Sequence, residues 1–332
     1  MNIYDISQKA GVSIATVSRV INNSDKVSDK TRKRVLQIME ETGYTPNVFA
    51  RGLTNNSIHT IGLLCVDCSD HFIASAISYL EHGFRDNGYD CILCCTGPEL
   101  ANRQKYLKLI LSKKVDAVVL VGSSFIQEGD GDENQYLLDA AKEVPLFSLN
   151  GFLDGDNIFC TLCDDEEAVY NATTKVLADG FKKPLFIYRS RSYTGFHKLK
   201  GFLKACKEQG FKTNSYSTLL MDESIEDGMQ KLISHSKEYD FDCVIAGDDE
   251  LAVSAHKYAK SKKMNIPKDF AIIGYNNSKV SICCDPELST MDNQLEFVCN
   301  NTVSNVMDCF GGAKVPNKTI VSAKFIERGT TK

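Results

Sequence analysis

The sequence predicts an N-terminal all-α helix-turn-helix headpiece followed by an α/β region of two doubly wound parallel-sheet lobes. Three observations predict this architecture. The chain has 332 residues, more than one domain usually holds, and 43% of them are hydrophobic, which is enough for real cores. The N-terminal 44 residues contain helix-length amphipathic segments separated by turn signals. From Thr60 onward, short apolar runs alternate with helix-length segments in two successive series.

Charge and hydropathy limit the class of protein. The formal net charge is -5, yet the first 55 residues hold eight Lys or Arg against five acids, so the basic character is local. The polar start of the chain does not resemble a signal peptide, and no apolar run approaches the roughly 18 residues that span a bilayer. We therefore expect a cytoplasmic protein without a membrane segment.

The thirteen cysteines are a high count for a chain that shows no export signal. The pairs with CxxC spacing are Cys65 with Cys68, Cys91 with Cys94 (Cys95 follows) and Cys160 with Cys163. A zinc site needs four convergent ligands, whereas these cysteines lie in or beside apolar runs typical of buried strands. We interpret them as reduced, buried small hydrophobes and predict no metal and no cofactor. Metal binding or thiol sensing is the alternative.

The headpiece begins with two short predicted helices. Ile3, Ile6 and Ala10 form one apolar stripe, which Gly11 breaks. Ser13 is a good N-cap for a second helix over 14–21, which would bury Val17, Val20 and Ile21. Ser28 is predicted to cap a third helix from Asp29 to about Glu41 that ends at Gly43. This arrangement is a helix-turn-helix, whose second helix enters the major groove of DNA.

Roles on DNA follow from position in the second helix. Arg19 can donate two hydrogen bonds to a guanine, and Ile14 or Ala15 can pack on a thymine methyl group. Ser13, Thr16, Ser18 and Asn22 lie on the same face, where they can reach phosphate or bases. A solvated helix face is the alternative interpretation of this surface.

The segments Ile3-Tyr4-Asp5-Ile6-Ser7, Ala10-Gly11-Val12-Ser13 and Thr16-Val17-Ser18-Arg19-Val20-Ile21-Asn22 resemble the headpiece of the lactose/galactose repressor family. The likeness continues through Gly43-Tyr44-Thr45-Pro46-Asn47 and Ala50-Arg51-Gly52-Leu53, which resembles the family's hinge. The resemblance implies a transcription regulator that binds a pseudopalindromic operator as a homodimer. It also makes Tyr4 a candidate DNA contact.

The hinge of that family folds on DNA and inserts a leucine into the minor groove, and Leu53 occupies the leucine position. Asn47 can cap such a helix, Ala50 permits close approach and Arg51 can meet phosphate. The domains are then predicted as a headpiece over 1–44, a hinge over 45–57 and an effector-binding and dimerisation domain over 58–332. An ordinary linker is the alternative for the hinge.

The resemblance extends to the α/β region, which is similar to periplasmic sugar-binding proteins. The first lobe is predicted at about 58–160 plus 289–320, and the second at about 161–288 plus 321–330. Ligands of doubly wound sheets bind beyond the carboxyl ends of strands. Polar or aromatic residues at those positions, in part through the resemblance, make Asp70, Phe72, Asn150, Lys198, Asp248 and Asn276 the candidate effector contacts. A loop or helix-cap role is the alternative for each.

Enzyme classes are disfavoured because the chain lacks a Gly-x-Ser-x-Gly elbow, a phosphate-binding P-loop and a His-Glu-x-x-His helix. No catalytic residue is predicted, and Asp164-Asp165 and Glu166-Glu167 are interpreted as solvated or helix-start charge. A second alternative, the solute-binding component of a transporter, would share the two lobes but would have no use for residues 1–56. The preferred function is a repressor controlled by a small polar ligand, most simply a sugar or sugar derivative. The alternative is a corepressor-type regulator that responds to a nucleobase or a protein partner.

Overall fold

The computed structural model describes residues 1–21, 24–44, 57–127, 132–222 and 224–332. These residues form two compact units, one of Met1–Thr60 with Lys114–Asp116 and the other of Ile61–Lys113 with Ala117–Lys332. Across the described ranges, no helix combines the length and the apolar character needed to cross a membrane.

The N-terminal unit contains helices α1 (Ile3–Ala10), α2 (Ile14–Ile21) and α3 (Asp29–Thr42). Gly11 and Gly43 end α1 and α3 in the left-handed conformation, with φ of 61° and 60°, which glycine adopts without strain. The Ser28 hydroxyl accepts from Thr31 N at the start of α3. A small core of Ile6, Ala10, Val17, Val20 and Val35 joins the three helices. The predicted helix-turn-helix is therefore confirmed.

The rest of the chain alternates between strands and helices. The strands are β1 (Thr60–Cys65), β2 (Asp90–Cys95), β3 (Ala117–Val121), β4 (Leu146–Leu149), β5 (Ile158–Cys163), β6 (Pro184–Tyr188), β7 (Thr218–Leu220), β8 (Cys243–Ala246), β9 (Ala271–Tyr275), β10 (Ser289–Asp292), β11 (Lys318–Val321) and β12 (Lys324–Ile326). The helices are α4 (His71–Asp86), α5 (Leu100–Ser112), α6 (Gln135–Ala141), α7 (Asp165–Ala178), α8 (Tyr193–Glu208), α9 (Ile225–His235), α10 (Asp249–Ser261) and α11 (Leu295–Phe310). Short 3-10 turns lie at Asp132–Asn134 and Lys279–Ile282.

Two six-stranded sheets form two lobes, as predicted. The first has the strand order β11-β5-β4-β3-β1-β2 and the second β12-β10-β9-β8-β6-β7. The second sheet pairs β6, β8, β9 and β10 in parallel, and β12 runs antiparallel to β10. Strands that are buried on both faces, such as β3 and β9, consist of apolar runs because helices cover parallel sheets on both sides.

The chain passes between the lobes after β5, after β10 and between β11 and β12. The sequence placed the second of these crossings at residue 289, but Ser289–Asp292 pairs with β9 and belongs to the second sheet. The difference arises because β10 returns beside β9 before α11 packs against α4 in the first lobe. Strand β5 likewise belongs to the first sheet up to Cys163.

Strand β2 differs from the prediction that Cys91–Cys95 would be buried. It is the edge strand of the first sheet, and its residues alternate between partly buried and exposed. The residues of β2 could not show that it is an edge strand, because the order of strands in the sheet decides which strand lies at the edge.

Helices α7 and α8 meet in the closest helix packing of the second lobe at Gly201. A Cβ at this position would lie 2.1 Å from the carbonyl oxygen of Glu166 in α7. Gly201→Ala is therefore expected to push the helices apart and to lower the free energy of unfolding by about 1–3 kcal/mol, the usual cost of overpacking. Urea unfolding followed by circular dichroism measures this loss.

The matched control for Gly201→Ala is Lys207→Ala, at an exposed position of the same helix. This change should alter the free energy of unfolding by less than about 0.5 kcal/mol. Equal stabilities for the two variants would show that the α7–α8 contact tolerates a methyl group.

Candidate functional site

The exposed face of α2 carries the headpiece residues predicted to contact DNA. Ser13, Ile14, Ala15 and Arg19 are exposed, and Thr16 and Ser18 are partly exposed. Val17 and Val20 on the opposite face are buried in the headpiece core. Tyr4 is 66% exposed in α1. The helix thus presents a guanidinium, hydroxyls and small apolar groups to solvent.

Local hydrogen bonds fix the start of α2. The Ser13 hydroxyl accepts from Thr16 N at 3.2 Å and lies 2.9 Å from the Thr16 hydroxyl. Ser13 is therefore the N-cap that the sequence predicts, and the helix begins at Ile14. The predicted contacts Asn22, Asn47, Ala50, Arg51 and Leu53 lie outside the described residues.

A cavity of about 180 Å³ lies between the two lobes of the larger unit. Its wall consists of residues at the carboxyl ends of strands from both sheets, where doubly wound folds bind ligands. All six predicted effector residues line it: Asp70, Phe72, Asn150, Lys198, Asp248 and Asn276. Residues far apart in the sequence are brought together because parallel strands of one sheet end at the same edge.

Several of these six side chains also hold the local backbone. Asp70 caps α4 by accepting from Ile73 N at 2.9 Å, and Asp248 caps α10 by accepting from Leu251 N at 2.8 Å. Asn150 has a left-handed backbone with φ of 59°, and its side chain accepts from Cys163 N. A cap uses one carboxylate oxygen of Asp70, which leaves the second oxygen available in the cavity.

Three buried polar side chains, Asp165, Lys198 and Tyr275, line the cavity next to one another. Asp165 is buried at the start of α7 and accepts a hydrogen bond from the Tyr275 hydroxyl. Lys198 Nζ lies 3.6 Å from the centre of the Tyr275 ring and donates to Gly247 O at 2.8 Å. Burial raises the pKa of Asp165, and the positive charge of Lys198 opposes that rise.

The burial of Asp165 corrects one interpretation from the sequence. Asp165 does start a helix, as predicted, but it is not solvated. Its partner Tyr275 lies 110 residues away, so no local pattern could show the contact. Lys198 is likewise not a free clamp, because its ammonium group already has the carbonyl of Gly247 and the ring of Tyr275 as partners.

Sequence reasoning missed Arg189, which follows β6 and lines the cavity. Its Nε donates to Asp248 Oδ2 and its second guanidinium nitrogen to Glu250 Oε2, both at 2.7 Å. The signal was present, because Arg189 directly follows β6, and the register that pairs Ile187 with Ala246 places it beside Asp248. The rule that identified Asp248 applies equally to Arg189.

A group of hydroxyls also escaped prediction. Ser123 Oγ of the first lobe lies 3.0 Å from both Ser192 Oγ and Thr194 Oγ1 of the second lobe. They were missed because no apolar period marks residues 189–194 as the start of a helix, whereas α8 begins at Tyr193 with Ser192 as its cap. The first turn of α8 carries these hydroxyls into the cavity and links the lobes directly.

Asn293 provides the cavity with an acceptor that has no partner. The residue is 3% exposed, lines the cavity and donates from its amide nitrogen to Asn276 Oδ1 at 2.9 Å. Its own Oδ1 is buried without a hydrogen bond in the structure. A buried carbonyl oxygen of this kind is costly unless a donor reaches it.

Comparison with known proteins bears on both units. A family model described as "Bacterial regulatory proteins, lacI family" matches residues 2–47, and one described as "Periplasmic binding protein-like domain" matches residues 174–331. Over 332 residues the chain is 49% identical to an HTH-type transcriptional regulator of Lachnoclostridium phytofermentans, an alignment that covers 100% of this chain and 99% of that protein. The chain belongs to the lacI family of bacterial regulatory proteins.

Solved structures share the fold of this lacI-family regulator. The lac repressor dimer bound to operator and the anti-inducer ONPF matches with a TM-score of 0.89 at 20% identity, covering 100% of this chain and 99% of that one. The complex of the transcriptional regulator CelR with cellobiose matches with a TM-score of 0.70 at 22% identity and 99% coverage of both chains. The predicted two-lobed fold of periplasmic-binding-protein type is thus confirmed, and the family consists of transcriptional regulators rather than enzymes.

The second lobe of the lacI-family regulator also contains a buried carboxylate next to the site. Asp249 accepts from Ser278 N at 2.6 Å, from Ser278 Oγ at 2.8 Å and from Thr290 Oγ1 at 2.6 Å. These bonds fix the segment that follows Asn276. Burial raises the pKa of Asp249 from 3.8 to about 6, although the hydrogen bonds oppose the rise.

The raised pKa of Asp249 predicts a pH dependence of stability. The folded state holds this proton more tightly than the unfolded state does, so the contribution is fully present below pH 3.8 and is lost as pH rises through about 6. Asp249→Asn removes the contribution. The stability of the wild type relative to the variant should therefore fall by about 1.4 kcal/mol per pH unit between pH 4 and 6.

Urea unfolding at a series of pH values, followed by circular dichroism, measures this difference. The buried Asp165 titrates in the same direction, but it is present in both proteins and so cancels. Parallel profiles for the two proteins would contradict the elevated pKa of Asp249.

Proposed function

We propose that this lacI-family regulator is a repressor that binds a pseudopalindromic operator as a homodimer and releases it when a sugar or sugar derivative binds in the interlobe cavity. The exposed face of α2 is the observation that carries the DNA-binding part of this proposal. Because it acts on the chromosome, the regulator works in the cytoplasm. The proposed DNA contacts of the described headpiece are Tyr4, Ser13, Ile14, Ala15, Thr16, Ser18 and Arg19.

Symmetry supports the dimeric form of the proposal. One headpiece reads a few base pairs, and a two-fold dimer doubles the readout and requires an inverted repeat in the DNA. The lac repressor structure with the same fold is a dimer bound to operator. In this chain the contacts Asn22, Asn47, Ala50, Arg51 and Leu53 complete the proposed interface.

The charges of the cavity favour an uncharged ligand rich in hydroxyl groups. Arg189 and Lys198 are the Lys and Arg side chains among the described lining residues, and each already has carboxylate or carbonyl partners. Asn293 Oδ1 is instead buried without a donor, which a ligand hydroxyl could supply, and the second oxygen of Asp70 can accept from another hydroxyl. Phe72 lines the same cavity and offers an apolar ring face, as sugar sites commonly do. The CelR structure of the same fold holds cellobiose.

Thermodynamic linkage between ligand binding and operator binding supplies the mechanism of regulation. If ligand and operator favour different angles between the lobes, each changes the affinity of the other by the same factor, commonly about 1–3 kcal/mol in allosteric proteins. The hydroxyl contact of Ser123 with Ser192 and Thr194 depends on that angle because it joins the two lobes. A ligand that enters here would replace these bonds with its own.

The deciding experiment has two steps on the full-length protein. A thermal-shift screen with neutral sugars, sugar phosphates, nucleosides and purines identifies compounds that bind the folded state and raise its melting temperature. Operator selected from a random duplex pool is then titrated with protein at fixed salt, with and without each active compound. We expect a neutral sugar to raise the melting temperature and to weaken operator binding.

Other outcomes separate the alternatives. Tighter operator binding with ligand would make the protein a corepressor-type regulator, and a response to purines alone would replace the sugar by a nucleobase. Failure of the selection to yield an inverted repeat would contradict the homodimeric operator complex. A thermal shift without any effect on operator binding would contradict the allosteric link.

A further inference from the structure

Three cysteine thiols come together at one edge of the first sheet, outside the interlobe cavity. Cys65 ends β1, Cys68 follows in the turn before α4 and Cys95 ends β2. Thr96 N donates to Cys65 O at 2.8 Å and Gly97 N to Val66 O at 2.9 Å, so backbone bonds hold the two strand ends side by side. The sulfur atoms of Cys65 and Cys95 lie 3.5 Å apart.

The thiols of this cluster differ in access to solvent. Cys65 is buried, whereas Cys68 and Cys95 are exposed. A reagent in solution can therefore reach the Cys95 thiol, and the buried Cys65 thiol is in contact with it. Burial and the neighbouring Cys95 thiol raise the pKa of Cys65, so Cys65 is poorly suited to be the first sulfur to react.

Neighbouring strands also meet the geometry of a disulfide. Adjacent strands lie about 4.8 Å apart, within the range of Cα separations that disulfides span. A disulfide has a sulfur–sulfur distance of about 2.05 Å, so small side-chain rotations would join two sulfurs that are now in contact. Cys94 points to the opposite face of β2 from Cys95, because side chains alternate along a strand.

We propose that Cys95 is an oxidation site, which reacts with hydrogen peroxide and then forms an intramolecular disulfide with Cys65. In the first step the Cys95 thiolate attacks one peroxide oxygen; the sulfur–oxygen bond forms, the oxygen–oxygen bond breaks, and the leaving oxygen takes a proton to become water. In the second step the Cys65 sulfur attacks the sulfenic sulfur of Cys95. The disulfide forms, and the sulfenic oxygen leaves as water with the proton of Cys65.

The electron count of the reaction is balanced. Two thiols each give one electron and one proton, and hydrogen peroxide becomes two molecules of water. Metal binding is not needed to explain the cluster, since no group of three or more His, Cys, Asp or Glu within the described ranges has the arrangement of a metal site. The proposal does not depend on the ligand assigned to the cavity. The segment that follows Cys65, between β1 and α4, also carries the cavity residue Asp70.

Peptide mapping of the full-length protein tests the proposal. The reduced protein is treated with hydrogen peroxide, its free thiols are alkylated, and the masses of its proteolytic peptides are measured by mass spectrometry. We expect a linked pair of peptides that contains Cys65 and Cys95 and is lighter than the two reduced peptides by two hydrogen atoms. Alkylation of Cys95 should be lost in the same sample, while that of the exposed Cys283 persists.

Variants assign the roles of the two sulfurs. Cys65→Ala should abolish the linked pair and leave Cys95 as a sulfenic acid that a dimedone probe captures, whereas the matched change Cys94→Ser should leave the linked pair intact. A Cys68–Cys95 link in the wild type would overturn Cys65 as the partner. Equal alkylation of Cys95 before and after peroxide would overturn the oxidation site itself, and this readout on the wild type does not depend on the folding of any variant.

Discussion

Replacing Lys198 by methionine is expected to lower the free energy of unfolding of the larger unit by about 1–3 kcal/mol, the usual cost of leaving a buried acceptor without its donor. Methionine keeps most of the side-chain length but removes the charge beside Asp165 and the donor to Gly247 O. The positive charge that opposes the rise in the pKa of Asp165 is lost at the same time. Urea unfolding at neutral pH, followed by circular dichroism, measures the loss.

A double variant separates the charge of Lys198 from its packing. Lys198→Met combined with Asp165→Asn removes both charges, while the new amide oxygen can still accept from Tyr275. Because the amide carries no charge for Lys198 to stabilise, the double variant should recover the electrostatic part of the lost stability. If the double variant is as unstable as Lys198→Met alone, the loss comes from packing and from the hydrogen bond to Gly247 O, and not from the charge near Asp165.

The same substitution tests the ligand site. Lys198 lines the interlobe cavity, so Lys198→Met should abolish the effect of ligand on operator binding and leave operator binding itself in place. The two readouts are independent, since one is a stability and the other a change in affinity. A retained ligand response would remove Lys198 from the effector site.

Arg19→Ala is expected to weaken operator binding by about 1–3 kcal/mol, or roughly five- to 150-fold, and to relax the preference at one base pair of each half-site. Arg19 is exposed on α2, and its guanidinium can donate two parallel hydrogen bonds to a guanine. Fluorescence anisotropy with the selected operator and with single-base variants, at one salt concentration, measures both effects.

Arg19→Lys is the matched control for the role of charge. Lysine keeps the positive charge that a phosphate contact needs, but it lacks the planar pair of donors. If Arg19 reads a base, both substitutions should lose discrimination at the same position. If Arg19→Lys binds and discriminates like the wild type, the contact is to phosphate and the base-reading role is wrong.

The headpiece was predictable in detail because its signals are local. Gly11, Ser13, Ser28 and Gly43 act on backbone groups within four residues, and the sequence alone shows those distances. The apolar spacing of Ile6, Ala10, Val17 and Val20 is periodic, so the buried face follows from helix geometry. The structure changed the bounds of these helices by no more than a residue.

Most of the residues that line the interlobe cavity were also predictable from their positions after strand ends, although the contacts among them were not. Residues that follow strand ends meet because parallel strands share an edge. The sequence could therefore predict that Asp70, Asn150, Asp248 and Asn276 lie close together. The start of α8 at Tyr193 could not be seen in the same way, because the polar run 189–194 carries no apolar period. The contacts of Ser192 and Thr194 with Ser123 of the first lobe were therefore not predicted.

The sequence by itself determined the helix-turn-helix and the two α/β lobes, because caps and periodicity act through near neighbours. The family followed from the resemblance of the headpiece segments, and the residues after strand ends that line the interlobe cavity followed from a general rule of parallel sheets. The tertiary structure alone decided which charges are neutralised and which thiols meet. Asp165 and Tyr275, or Cys65 and Cys95, are partners only because separate strands end side by side. That arrangement depends on the packing of the whole lobe, and no local pattern encodes it.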